Sequence, residues 1–95
     1  MNISKAELCT SIGIVIRDLR LAEKKSIETL SEEIDIGHSQ LSRIERGKIN
    51  TSIYQLYKIL TALNVPMNTF VKVLKSTIVK VKKEKRKKRN NEKEK

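Results

Sequence analysis

Two short helical segments separated by a tight turn occupy residues 26–47, and this pair restricts the fold more than any other feature. The apolar positions of both segments recur at helical spacing. They are Ile27, Leu30 and Ile34 in the first segment and Leu41 and Ile44 in the second. Residues 35–37, Asp-Ile-Gly, leave room only for a turn. The sequence therefore predicts two amphipathic helices packed on one core.

A first helix precedes this pair. Ser4 and Glu7 have the spacing of a capping box, so the helix can begin there. A β-branched run follows with weak helix propensity, so a start at Ser11 is the alternative. The helix should end near residues 24–25, where two lysines suit a helix C-terminus.

Two further helices follow the pair. Residues 50–52, Asn-Thr-Ser, supply a cap for a fourth helix with a broad apolar face, and Pro66 prevents its continuation. A fifth helix starts at Asn68 or Thr69. Because no alternating strand pattern occurs elsewhere, we expect an all-α fold of five helices.

Positive charge is concentrated at the C-terminal end. Lysine and arginine total 21 against 11 acids, a net charge of +10, and residues 80–95 contribute seven of these charges. Such an excess suggests a polyanionic partner. We expect a globular domain over residues 12–79. Residues 1–11 are an extension or the start of helix 1, and 80–95 a basic tail, disordered unless it is a frayed continuation of helix 5.

The sequence lacks the residue groups that catalysis or metal binding requires. One cysteine, Cys9, and one histidine, His38, lie on different predicted helices, and no third orienting group accompanies them. A single cysteine excludes an internal disulfide and fits a reducing cytoplasm. No apolar run approaches the ~20 residues that span a bilayer. We therefore predict a cytoplasmic protein with no enzymatic activity, cofactor, metal or membrane contact.

The segment 30–47, which ends in Ser-Arg-Ile-Glu-Arg-Gly, resembles the Cro/cI-type helix-turn-helix family (the XRE family) of phage and bacterial regulators. The resemblance covers about residues 12–74. It implies a lambda-repressor-like DNA-binding domain of five helices, with the helix-turn-helix formed by helices 2 and 3. In that arrangement the third helix enters the major groove of double-stranded DNA.

The resemblance also implies roles for individual side chains. The base-reading positions hold His38, Ser39, Gln40 and Arg43. The positions that contact phosphates, partly through backbone N–H groups, hold Arg46, Lys48, Asn50 and Thr51. Arg20 and Glu45 match a buried ion pair that joins helix 1 to the end of helix 3.

The chemistry of two of these side chains suits base reading. Arg43 can donate to guanine O6 and N7 together, and Gln40 can pair with adenine N6 and N7. The alternatives are a solvated or phosphate-bound arginine and an ordinary surface glutamine.

Four residues depart from the family pattern. Ile27 stands where a polar residue, often glutamine, touches a phosphate. Ser31 replaces a small alanine, and its hydroxyl is expected to bond a carbonyl one turn back. Asp35 replaces the turn glycine and would have to adopt a left-handed conformation. Gly37 replaces the usual serine or threonine cap of helix 3.

Helix 5 carries an apolar stripe that is either core or a dimer face. The dimer candidates are Phe70, Val71, Leu74 and Ile78. Val73 and Val79 place apolar groups on other sides of the same helix, which favours a homodimer. Two copies of one short helix would then read two half-sites.

The leading hypothesis is a sequence-specific regulator, a repressor or autoregulator, that binds a palindromic operator as a homodimer at the nucleoid. One alternative is an antitoxin-like or anti-regulator module that engages a protein partner, such as a toxin or co-regulator. Another is a non-specific nucleic-acid-binding protein that depends on the basic tail.

Overall fold

A computed structural model describes the backbone of residues 2–93 and the side chains of residues 2–84. Over that range the chain forms five α-helices and no strand. They are α1 (Lys5–Ala22), α2 (Ile27–Ile34), α3 (His38–Glu45), α4 (Ile53–Ala62) and α5 (Met67–Lys93). The all-α, five-helix architecture expected from the sequence is confirmed. None of the helices in this range is long and apolar enough to cross a bilayer.

Helix α1 begins at the capping box. The backbone N–H of Glu7 donates to Ser4 Oγ at 3.0 Å, and the backbone N–H of Ser4 donates to Glu7 Oε1 at 3.1 Å. These reciprocal bonds satisfy donors that the first turn would otherwise leave unpaired. The alternative start at Ser11 is therefore wrong, and residues 5–11 form the first turns of α1.

The turn between α2 and α3 has the geometry that its residues require. Asp35 ends α2 with φ 56° and ψ 51°, the left-handed conformation expected at this position. The Ser31 hydroxyl donates to the carbonyl oxygen of Glu28 at 2.9 Å. Gly37 caps α3 with extended backbone and no side-chain hydrogen bond. A short turn therefore holds the two helices in a fixed relation.

One apolar core joins all five helices. Its buried members are Val15, Ile16, Leu30, Ile34, Leu41, Ile44, Leu56, Ile59, Leu60, Leu63 and Phe70. Gly13 brings the backbone of α1 directly against the end of α3, since a methyl group there would lie 2.5 Å from the carbonyl oxygens of Ile44 and Glu45. Gly47 follows α3 with φ +72° and packs on the backbone of Thr10. α3 is thus pressed closely against α1.

Helix α5 packs along α1 and continues well beyond the core. Val81 is buried, and Lys82 Nζ donates to the backbone oxygen of Asn2, so the packed part of α5 extends past residue 79. The backbone of residues 80–93 is helical and continues α5. Lysine, arginine and glutamate are good helix formers, and no glycine or proline interrupts them. Residues 94 and 95 lie outside the described range.

Candidate nucleic-acid interface

Helix α3 presents one apolar side inward and one polar side outward. Leu41 and Ile44 are buried in the core. The side chains at the outward positions are exposed for His38, Ser39 and Arg43 and half-buried for Gln40. A polar edge of this kind, standing free on an eight-residue helix, has the size and chemistry to enter a major groove.

An ion pair fixes the end of α3 to α1. Arg20 Nε donates to Glu45 Oε2 at 2.6 Å, and a second guanidinium nitrogen donates to Glu45 Oε1 at 3.0 Å. A third bond of 2.8 Å runs to the carbonyl oxygen of Lys25. Both side chains are nearly inaccessible, 9% and 4% exposed, and the hydrogen bond to Glu45 raises the pKa of Arg20. The pair implied by the family resemblance is thus present, and it occupies most of the Arg20 donors.

His38, at the start of α3, contacts α2. Its Nε2 lies 3.3 Å from Glu28 Oε1, and both side chains are exposed. The pKa of Glu28 is lowered, first by a hydrogen bond from its own backbone N–H and then by nearby His38. Since both groups face water, His38 can leave this contact for a base or phosphate at little cost.

Gln40 belongs to a hydrogen-bonded group that bridges α3 and α4. Gln40 Nε2 donates to Gln55 Oε1 at 3.4 Å, and the Thr51 hydroxyl donates to the same oxygen at 3.1 Å. The single hydroxyl proton of Thr51 is therefore committed, so a phosphate contact at Thr51 would use its backbone N–H. The sequence analysis missed Gln55, because nothing local indicates a neighbour fifteen residues away.

The positions assigned to phosphate contacts follow α3, and the first of them, Arg46, lines a cleft. Arg46, Lys48 and Asn50 are exposed, and Arg46 Nε donates to the Ser42 carbonyl oxygen at 3.4 Å. The cleft is lined by Arg17, Arg20, Ile27, Ser42, Glu45 and Arg46. Since Glu45 neutralises Arg20, Arg17 and Arg46 leave the cleft positive. Sequence analysis did not single out Arg17, although its position one turn before Arg20 was a usable signal.

The dimer candidates on α5 separate into two groups. Phe70 is 2% exposed inside the core, so its inclusion as a dimer residue is wrong for this fold; the start of α5 turns that ring inward. Leu74 is partly buried against the same core, and Ile78 is half-buried beside Ile3. Val71 is the candidate that stands exposed.

A second exposed apolar group lies on α4 and was not anticipated. Ile53, Tyr54 and Tyr57 are between 60% and 78% exposed. Lys58 Nζ lies 5.4 Å from the centre of the Tyr54 ring. Part of the apolar surface of α4, near its N-terminal end, therefore faces solvent and not the core.

Comparison with known proteins agrees with this geometry. A helix-turn-helix family profile matches residues 16–70. The HTH-type transcriptional regulator SutR of Escherichia coli K12 is 31% identical over 64 residues, 67% of this chain but only 36% of SutR. The restriction-modification controller protein C.Esp1396I, solved as a tetramer on its 35-base-pair operator, is similar at 28% identity. That match has a TM-score of 0.71 and covers 76% of this chain and 95% of C.Esp1396I.

The fold recurs in a more distant protein. The clp gene regulator ClgR of Corynebacterium glutamicum superposes with a TM-score of 0.79 at 20% identity, over 86% of this chain and 87% of ClgR. The profile match spans more than half of the chain and includes α2, the turn and α3. The protein thus belongs to the helix-turn-helix family, and the resemblance seen in its sequence is confirmed.

Proposed function

We propose that the protein is a sequence-specific DNA-binding transcription regulator, a repressor or autoregulator that binds a palindromic operator as a homodimer. The observation that carries this proposal is the exposed polar edge of α3, held on a helix whose other side is buried. Double-stranded DNA is its partner, the nucleoid is where it acts, and no catalytic step or cofactor is involved.

The arrangement of polar and charged side chains supports two separate roles, base reading and phosphate binding. His38, Ser39, Gln40 and Arg43 read base edges, while cationic and polar groups around them contact phosphates. These phosphate-binding residues are Arg46, Lys48, Asn50 and the backbone of Thr51, to which we add Arg17. Ile27 cannot hydrogen-bond a phosphate through its side chain. Arg17 and Arg46 line the same cleft as Ile27 and supply charge there.

Selection of random duplex DNA by the purified protein tests this function. We expect an enriched palindrome, and Arg43→Ala and Gln40→Ala should each relax different positions in it. Each good pair to a base discriminates by about 1–3 kcal/mol. Lys5→Ala is the control, because it removes a positive charge at the opposite end of α1 from Arg20. Failure to enrich any sequence at physiological salt would refute the proposal.

The dimer is proposed to form through the exposed side of α5. Val71 and Val73 are each 40% exposed but point to different sides of the helix, because two residues are about 200° apart. We expect Val71→Lys to shift the protein toward monomer in sedimentation equilibrium and Val73→Lys to leave the dimer intact. Equal effects of the two changes would place the interface elsewhere.

A shortened chain distinguishes the proposal from tail-driven binding. Deletion should begin at residue 85, because Val81 is buried and Lys82 contacts Asn2. The removed segment holds seven of the chain's lysines and arginines. A regulator without it binds more weakly but keeps its preferred site, whereas a non-specific protein driven by its tail loses binding altogether.

The exposed apolar group on α4 favours a second candidate, a module that engages another protein. Ile53, Tyr54 and Tyr57 form an apolar patch of the kind that marks interfaces. This candidate predicts a stable heteromer in the absence of DNA that Tyr54→Lys abolishes. The regulator predicts instead that Tyr54→Lys leaves the selected palindrome unchanged.

A further inference from the structure

The direction of the hydrogen bonds among Gln40, Gln55 and Thr51 affects which base Gln40 can select. Two donors, one from α3 and one from the loop before α4, converge on the single oxygen Oε1 of Gln55. The backbone of Gln55 is itself held, since its N–H donates to the Ser52 cap at 3.1 Å. Gln55 therefore offers Gln40 an acceptor at a fixed place.

The contact leaves Gln40 with one defined set of free groups. An amide nitrogen carries two hydrogens, and one of them is directed to Gln55. One N–H and the carbonyl oxygen Oε1 remain, which is one donor beside one acceptor. Adenine presents the complementary acceptor N7 and donor N6–H in the major groove, whereas guanine presents two acceptors, N7 and O6.

We propose that Gln55 is a positioning residue that makes the Gln40 position select adenine over guanine. This inference rests on the proposed function, because Gln40 must be a base reader for it to hold. A Gln40 amide without Gln55 can rotate so that both of its hydrogens point outward, toward the two acceptors of guanine. Gln55 removes that orientation without touching the base.

The hydrogen bond between Gln40 and Gln55 contributes little to the stability of the fold. At 3.4 Å the bond from Gln40 is long for an N–H···O interaction, and the residues of this group are all half-buried. The cap of α4 comes from the Ser52 hydroxyl and not from the Gln55 side chain. Substitution of the Gln55 side chain should therefore leave the folded protein intact.

Two variants of Gln55 separate positioning from a general structural role. Gln55→Leu has similar size but no acceptor, while Gln55→Glu keeps an oxygen that accepts from Gln40. The measurement is competition between the selected operator and its A-to-G variant at the position that Gln40→Ala relaxes. The wild-type protein should prefer adenine by about tenfold or more.

We expect Gln55→Leu to reduce this preference to about twofold while the position relaxed by Arg43→Ala stays as selective as before. Gln55→Glu should keep the adenine preference and bind all sequences more weakly, because it adds negative charge beside the phosphates. The inference is overturned if Gln55→Leu keeps the preference, if it relaxes every position equally, or if Gln55→Glu loses the preference.

The outcome also separates this inference from the proposed function. A wild-type protein that selects no sequence refutes the regulator itself. A wild-type protein that selects a palindrome with no position sensitive to Gln40→Ala leaves the regulator standing and overturns the role of Gln55.

Discussion

Gly13→Ala should destabilise the protein even though alanine is the better helix former. A methyl group at this position would lie 2.5 Å from the carbonyl oxygens of Ile44 and Glu45 and 2.8 Å from the carbonyl carbon of Glu45. These atoms belong to backbone, so no side chain can rotate away to make room. The helices α1 and α3 would have to separate.

The sign of the effect follows from two opposing quantities. Alanine gains roughly 0.5–1 kcal/mol over glycine inside a helix. Overpacking that forces the backbone to shift costs about 1–3 kcal/mol and occasionally more, and a clash with backbone atoms should lie near the upper limit. We therefore expect a net loss of about 2 kcal/mol. For a domain of this size that corresponds to a fall in Tm of about 8–16 °C.

Thermal unfolding followed by circular dichroism at 222 nm measures the change, with urea unfolding as a second reading. Gly37→Ser is the matched control, because a Cβ at Gly37 meets no heavy atom within 4 Å and φ there is −66°. Serine at that cap should raise stability by a few tenths of a kcal/mol. A Gly13→Ala protein that melts at or above the wild-type temperature would refute the close-contact argument.

Three further changes test other parts of the molecule. Glu45→Ala strands the buried Arg20 guanidinium and should lower the free energy of unfolding by about 3–5 kcal/mol, measured in urea; a loss below 1 kcal/mol would contradict the pair's burial. Lys48→Ala should reduce the log–log slope of operator affinity against salt by about one unit, and an unchanged slope would exclude a phosphate contact. Folding lowers the pKa of Glu28, so the ionised carboxylate stabilises the fold above pH 4.5. This contribution is lost as the pH falls through the lower pKa that Glu28 has in the folded protein. Glu28→Gln should therefore give a flatter dependence of Tm on pH below 4.5, and a parallel curve would refute this.

The parts of the fold that depend on local chemistry could be predicted from the sequence. The Ser4–Glu7 capping box and the left-handed Asp35 are set by residues within one turn, so their side chains alone decide the geometry. The end of α5 could not be predicted in this way. Solvated lysines and arginines are compatible both with a helix and with a disordered tail, and only tertiary packing such as the burial of Val81 decides.

In the candidate site, too, the contacts between residues distant in sequence could not be predicted from local chemistry. Arg20 and Glu45 are twenty-five residues apart, and only the family resemblance connected them. Gln55 escaped notice because its partner lies on another helix, fifteen residues away. The sequence left Phe70 as either a core or a dimer residue, since spacing along α5 does not say which side meets α1 and α4.

In the proposed function, the accuracy with which α3 reads bases depends on residues outside the set proposed to contact DNA. An eight-residue helix is unstable in isolation, so contacts from outside must fix both its order and its orientation. The C-terminal end of α3 is fixed by the close backbone contact at Gly13 and by the buried ion pair between Arg20 and Glu45. Gln55, in contrast, contacts only one side chain of α3, that of Gln40.

These two kinds of contact should fail differently. Loss of the Gly13 contact lowers the population of folded protein, so cooling below Tm should restore much of the lost affinity. Loss of Gln55 leaves the fold intact, so the relaxed base preference persists at every temperature at which the protein is folded. If the adenine preference of the Gln55→Leu protein returned on cooling, base preference would depend only on the fraction of folded protein. The contact from Gln55 to the Gln40 side chain would then have no role of its own.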